Sequence, residues 1–218
     1  MDKQNWNPGS LLGLSGYYWK TCVLHAAVKL DIFTAIGDGA MTGQTVAEKI
    51  GADADAVDRL LNALAAMELL LKKEDTFLNV EDAGRFLRKD SKTYLGYMIL
   101  HHHHLMASWS KLDQAVLSGT PMRTRTSFSD ETVREAFLMG MFNNAILQAP
   151  SLVETVDLSG KQKLLDMGGG PGTYAIHFCL KNPQLKAVVF DLPTTRPFAE
   201  KTISKFGLSE RISFVAGD

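Results

Sequence analysis

Residues 164–173 read LLDMGGGPGT, and this stretch decides the fold. Leu164 and Leu165 belong to a hydrophobic strand that delivers the chain to Gly168, Gly169, Gly170 and Gly172, after which a helix begins at once. Glycines at such a turn permit tight backbone geometry and let a ligand approach the main chain closely. The helix N-terminus beyond them favours a negative group. Working outward, KQKLLDM (161–167) is a strand, GTYAIHFCLKN (172–182) a helix and KAVVFDL (186–192) a second strand. RPFAEKTISKFG (196–207) is a further helix and RISFVAG (211–217) a third strand. Strict alternation of strand and helix predicts a parallel sheet with right-handed crossovers. The second strand ends at Asp191, where an acid accepts hydrogen bonds from ribose hydroxyls. The bland alternative is a structural strand-to-helix turn. Strand, glycines, helix and acid together favour a nucleoside-binding crevice.

The spacing bears on which nucleoside. A dinucleotide fingerprint runs G-x-G-x-x-G. With Gly168 and Gly170 as its first pair, the third glycine falls on Thr173. Asp166 also stands just before the loop, an unfavourable place for a pyrophosphate. An acid there suits a ligand with a cationic end, such as the amino group of S-adenosyl-L-methionine.

Upstream the periodicity differs. Residues 16–36 carry Val23, Ala26, Ala27, Leu30 and Phe33 at helix spacing. MTGQTVAEKIG (41–51) reads as a short helix closed by Gly51. ADADAVDRLLNALAAMELLL (52–71) opens on aspartates that can cap a helix, and Val57, Leu60, Leu61, Leu64 and Met67 line one face. LLKKEDTFLNV (70–80) reads as a hairpin turning near 72–75. Three helices and a hairpin give the order of a winged helix. A long helix is expected over 92–117, a loop over 118–127 and another helix over 130–156. The predicted architecture is an α-helical winged-helix domain (1–90), linking and pocket helices (91–158), then the first three strands of an α/β Rossmann-like domain (159–218).

Composition excludes some functions. The 218 residues are 45% hydrophobic and 22% charged with net charge −1, so no global field draws the chain to nucleic acid or anionic lipid. Cys22 and Cys179 stand far apart in no metal or redox spacing, which suits free thiols in a reducing, cytoplasmic compartment. The stretch 60–71 is the most apolar and too short to span a bilayer. No membrane association is expected.

LLDMGGGPGTYAIHF, VVFDLP and ISFVAGD together resemble the cofactor half of the S-adenosylmethionine-dependent O-methyltransferases of the caffeate and acetylserotonin type. FLMGM (137–141) matches that family's F-x-x-G-M segment, and a winged-helix dimerisation domain is what the family carries. The resemblance implies a homodimer and a small-molecule hydroxyl as acceptor, aromatic or polyketide-like. It implies that Gly168 and Gly170 present backbone to the methionine part of the cofactor. Asp191 takes the ribose, Leu192 packs on adenine and Asp218 lies beside it. Phe128 is an aromatic near the methionine end, and Phe137 and Met141 form the wall between donor and acceptor.

HHHHL (101–105) suggests a metal site, yet successive helical residues turn by about 100° and only His101 and His104 share a face. No Cys or carboxylate completes a ligand set, so no metal is expected. His104 and Trp109 are instead assigned to the acceptor pocket. A DNA-reading winged helix is the rival from another class. Residues 40–70 hold two bases, Lys49 and Arg59, against five acids, which phosphates would repel. A third reading is a relative repurposed for binding without catalysis. The family's catalytic histidine lies downstream of the third strand, and no histidine here is assigned that role. The implied sheet also places a fourth strand beside the first. The expectation is therefore a portion of a longer methyltransferase: a dimer that binds cofactor weakly or not at all and turns nothing over.

Overall fold

The computed structural model describes residues 6–122 and 129–218. The chain forms two compact units, one ending at Gly96 and one beginning at Tyr97.

In the first unit, α1 (Pro8–Gly16), α2 (Tyr18–Lys29) and α3 (Ile32–Ile36) precede β1 (Met41–Thr42), α4 (Gly43–Ile50) and α5 (Ala54–Ala66). The hairpin β2 (Leu70–Lys73) and β3 (Thr76–Asn79) follows, then α6 (Glu81–Leu87). The sheet order is β1-β3-β2, antiparallel throughout. Asp53 caps α5 as its sequence suggests, accepting the Ala56 amide at 2.8 Å. Val57, Leu61 and Leu64 of α5 are buried. They share a core with Phe33, Ile36, Val46, Leu70 and Phe77.

The helix expected over 16–36 is two helices. Asp31 adopts φ 56°, a left-handed conformation that Asp tolerates better than most residues, and the chain turns there. The helices α1 and α6 and the two-residue β1 were not visible in the sequence pattern. α1 has no buried residue to give it an apolar face, and Asn7 caps it by accepting the Ser10 amide at 3.0 Å.

Helix α7 (Gly96–Trp109) enters the second unit at Tyr97, and α8 (Leu112–Ser118) and α9 (Glu131–Thr155) follow. A single helix over 92–117 was expected. The helix instead breaks at Ser110, whose hydroxyl donates to the Ala107 carbonyl at 3.1 Å. Asp130 starts α9 by accepting the Thr132 and Val133 amides at 2.8 and 3.1 Å. By length and composition α9 alone among the described residues could cross a membrane, a stretch the sequence reading, which took 60–71 as the most apolar, did not single out. Here it packs on the helices of the sheet, burying residues such as Ala136, Leu138, Ala149 and Val153.

Then come β4 (Lys163–Met167), α10 (Thr173–Lys181), β5 (Lys186–Asp191), a single 3-10 turn (Pro193–Thr195), α11 (Arg196–Lys205) and β6 (Ile212–Ala216). The sheet is parallel with order β4-β5-β6. Central β5 buries Ala187 and Val189 against Ala175, Ile176 and Cys179 of α10 and Ala199 and Ile203 of α11. Edge strand β4 leaves Leu165 and Met167 exposed. Among the described residues β4 pairs only with β5.

Gly140 fixes how α9 meets α7. A Cβ there would stand 3.1 Å from the Met98 Cα, so glycine permits the approach. That approach sets the ring of His101 against Phe137, with centroids 5.2 Å apart.

Candidate functional site

The carboxyl ends of β4 and β5 open on a cavity of about 480 Å³. Ligands of open parallel sheets bind at such ends, beyond the strand termini. The floor is the loop 168–172. Gly168 and Gly170 have φ of 65° and 54°, and a Cβ at either would project into open space. Gly169 is required for a different reason: a Cβ there would lie 2.7 Å from the Asp166 Cγ and 3.0 Å from Val189. The loop is anchored to the neighbouring strand through the Gly168 amide, which donates to the Phe190 carbonyl at 2.8 Å.

Two carboxylates flank this loop. Asp191 accepts the Gly170 amide on Oδ2 at 2.8 Å. Its Oδ1 accepts the Leu192 amide at 2.7 Å and the Thr195 hydroxyl at 2.9 Å. Asp166 accepts the Ala175 amide at 3.3 Å, so it is itself the negative group at the start of α10. Burial pushes the Asp166 carboxyl above the usual carboxylate range; the Ala175 hydrogen bond opposes this and the nearby charge of Asp191 adds to it. A cationic group placed between the two acids would relieve that strain.

The opposite wall is one face of α9, where Arg134, Phe137, Leu138 and Met141 line the cavity. Arg134 was missed in the sequence. Its position one turn before Phe137 on the same helical face was the available signal. Among the described residues it is the cation lining a cavity whose acids are Asp166 and Asp191.

The cavity thus brings together Asp166, Gly168, Gly170, Asp191, Leu192, Phe137 and Met141. It does not include Asp218, which is exposed just past β6; the adjacent Gly217 amide donates to the Asp191 carbonyl at 3.0 Å. Phe128 lies outside the described residues. Trp109 lines a second, more open cavity of about 400 Å³ with His101, Leu105, Leu112 and Met122. His104 lines neither cavity; its ring packs edge-on to His103. The histidine facing Phe137 is His101, because α9 meets α7 at the Met98 turn and position 101 lies one turn on. Among the described residues no cluster of His, Cys, Asp and Glu could hold a metal.

The residues fit a nucleoside bearing a zwitterionic tail. Asp191 keeps acceptor capacity on Oδ2, a Cβ at Gly168 or Gly170 would meet nothing within 4 Å, and Asp166 and Arg134 carry opposite charges in one cavity. The O-methyltransferase domain family matches residues 109–218, and the O-methyltransferase dimerisation domain family matches residues 12–90. The 3-hydroxy-5-methyl-1-naphthoate 3-O-methyltransferase of Streptomyces sahachiroi is 30% identical over 217 residues, covering 97% of this chain and 63% of that protein. The N,N-dimethyltransferase OxyT of Streptomyces rimosus is 31% identical, covering 96% of this chain and 64% of its own length. The chain therefore spans under two-thirds of the length of these relatives. Human N-acetylserotonin methyltransferase, solved in complex with SAM, is 24% identical and superposes with a TM-score of 0.81 over 100% of this chain and 68% of that one, a likeness of fold. With a glycine-loop crevice at the sheet's carboxyl edge and both family matches in the expected order, the chain belongs to the O-methyltransferase family, carrying its dimerisation domain ahead of a Rossmann-like methyltransferase domain.

Proposed function

We propose that this protein transfers a methyl group from S-adenosyl-L-methionine to a hydroxyl of a small aromatic or polyketide-like molecule. One observation carries the reading: Asp166, the glycine loop, Asp191 and the Phe137–Met141 face of α9 line a single cavity.

The cofactor supplies an electrophilic methyl on a sulfonium. The chain's own residues bind and orient. The Asp191 carboxylate receives a ribose hydroxyl, and Leu192 packs on the adenine. Asp166 holds an ammonium and Arg134 a carboxylate, which fixes the direction of the methionine tail. Phe137 and Met141 face the sulfonium with a π surface and a polarizable thioether. Methyl transfer of this kind needs chiefly alignment of acceptor, methyl and sulfur, with removal of one proton. Among the described residues lining the cavity none is a histidine, and no general base is assigned there. The second cavity, with Trp109, Leu105 and His101, supplies a flat apolar lining on the far side of Phe137 and is the acceptor side of the reading.

The active form is a homodimer made through the first unit. In support, Leu12 and Trp19 on α1 and α2 are 74% and 65% exposed, and Leu14, Tyr17 and Tyr18 beside them are exposed as well. A DNA-reading role is disfavoured by the acids of α5. Cys22 and Cys179 are both free thiols, in keeping with a cytoplasmic protein.

The test has two arms. Calorimetry with S-adenosylhomocysteine is expected to show weak but saturable binding, with NAD as the negative control. A transfer assay with methyl-labelled donor, run on the whole protein at the length of its relatives, then compares naphthols and phenols with arylamines. Labelled amine without labelled hydroxyl would move the protein to the chemistry that OxyT is named for. Binding of NAD in place of S-adenosylhomocysteine would overturn the reading.

A further inference from the structure

Thr195 stands in the 3-10 turn immediately after the cofactor strand, at the head of α11. A threonine before a helix ordinarily caps it with its side chain. This one does not: α11 has no side-chain cap, and the hydroxyl donates to the Asp191 Oδ1 at 2.9 Å. Thr195 is 3% exposed, so its hydroxyl is committed to that bond in a site where an unsatisfied one would be costly.

A carboxylate has about four acceptor places, two on each oxygen. On Asp191, Leu192 and Thr195 occupy both places on Oδ1. The Gly170 amide takes one place on Oδ2. One place remains, on the oxygen that faces the glycine loop. We infer that Thr195 is a positioning residue: with the Leu192 amide it saturates Oδ1, locks the Asp191 carboxylate in rotation, and reserves Oδ2 for the loop amide and a single ligand hydroxyl. The ligand part of this inference rests on the cofactor reading above. The geometric part does not.

Thr195→Val keeps the shape and removes the donor; Thr195→Ser keeps the donor. Two readouts apply to the full chain. The first is calorimetric affinity for S-adenosylhomocysteine. The second needs no ligand: exchange of the Gly170 amide hydrogen by NMR, which reports how firmly Oδ2 is held. Thr195→Val is expected to weaken binding about tenfold and to speed Gly170 exchange severalfold, as loss of one hydrogen bond to a charged group implies. Thr195→Ser is expected to stay within about twofold of the parent in both and to keep its melting temperature, while Thr195→Val loses a few degrees with the bond. Unchanged Gly170 exchange in Thr195→Val would overturn the positioning role. Equal losses in both variants, with a fall in melting temperature, would also overturn it in favour of packing alone. No binding by the parent chain, with Gly170 exchange still responding to Thr195→Val, would overturn the cofactor reading while supporting the positioning of Asp191.

Discussion

Asp191 reaches back across the crevice to Gly170, 21 residues earlier, and accepts its amide hydrogen at 2.8 Å. One carboxylate therefore both presents an acceptor to a ligand and ties down the loop beneath it. Asp191→Ala removes both actions at once. Affinity for S-adenosylhomocysteine is expected to fall by at least tenfold, since a hydrogen bond to a charged group is worth about 1.5–3 kcal/mol. Asp191→Asn keeps an oxygen for Leu192 and Thr195 and should lose less. Equal affinity of the alanine variant and the parent, by calorimetry, would refute the ribose role.

Asp166 is predicted to trade stability for binding. Burial raises its carboxyl above the ordinary value of 3.8, so the folded chain holds this proton more tightly than the unfolded chain does. The sign follows: between the two values the folded state binds more protons, so this group's contribution to stability falls as pH rises through that window. Asp166→Asn should therefore match or exceed the parent's stability near neutral pH, with the gap closing as pH falls toward the ordinary carboxylate value. The same change should weaken S-adenosylhomocysteine binding about tenfold through loss of an ammonium partner. Urea titrations at several pH values, with calorimetry at one, check both halves.

Gly169→Ala places a methyl 2.7 Å from the Asp166 Cγ and 3.0 Å from the fully buried Val189. Neither neighbour can yield freely, because Asp166 is tied to Ala175 and Val189 sits in the central strand. Overpacking of this kind costs about 1–3 kcal/mol. Thermal unfolding should detect it as a drop of several degrees, accompanied by weaker cofactor binding. A variant as stable as the parent would show that the loop can shift more than its hydrogen bonds suggest.

Phe137 is half-buried between the cofactor cavity and His101. Phe137→Ala should cost about 2 kcal/mol, below the range for a fully buried ring. It should also alter which acceptors are methylated more than it alters cofactor affinity. His101→Phe keeps a ring against Phe137 and should preserve stability while shifting acceptor preference. Acceptor profiles of the two variants, each against cofactor affinity, separate these effects.

Leu12→Glu combined with Trp19→Glu places two charges on the most exposed apolar surface of the first unit. Light scattering of the parent is expected to give a dimer, and of the double variant a monomer with a lower melting temperature. A dimer that survives both changes would place the interface elsewhere.

Much of this molecule is written locally. The residues 164–173 specify a strand, a turn only glycines adopt and a helix start, and they read the same in the sequence and in the structure. The strand-helix alternation after them and the Asp53 cap of α5 are equally local. Less legible were the helix breaks at Asp31 and Ser110, since each depends on one residue's backbone conformation or side-chain bond and leaves the apolar period intact. α1 was invisible because it buries none of its residues.

The sequence by itself determined the order of the domains, the parallel sheet and the crevice acids, because periodicity, glycine conformation and strand-end placement act within a few residues. The tertiary structure alone decided which side chains meet. Gly140 against Met98 turned His101, not His104, toward Phe137. The face of α9 brought Arg134 into the cavity, and the turn after β5 gave Thr195 to Asp191 rather than to its own helix. Those pairings join residues from different elements or compete with a local bond, and close approach in three dimensions has no period along the chain.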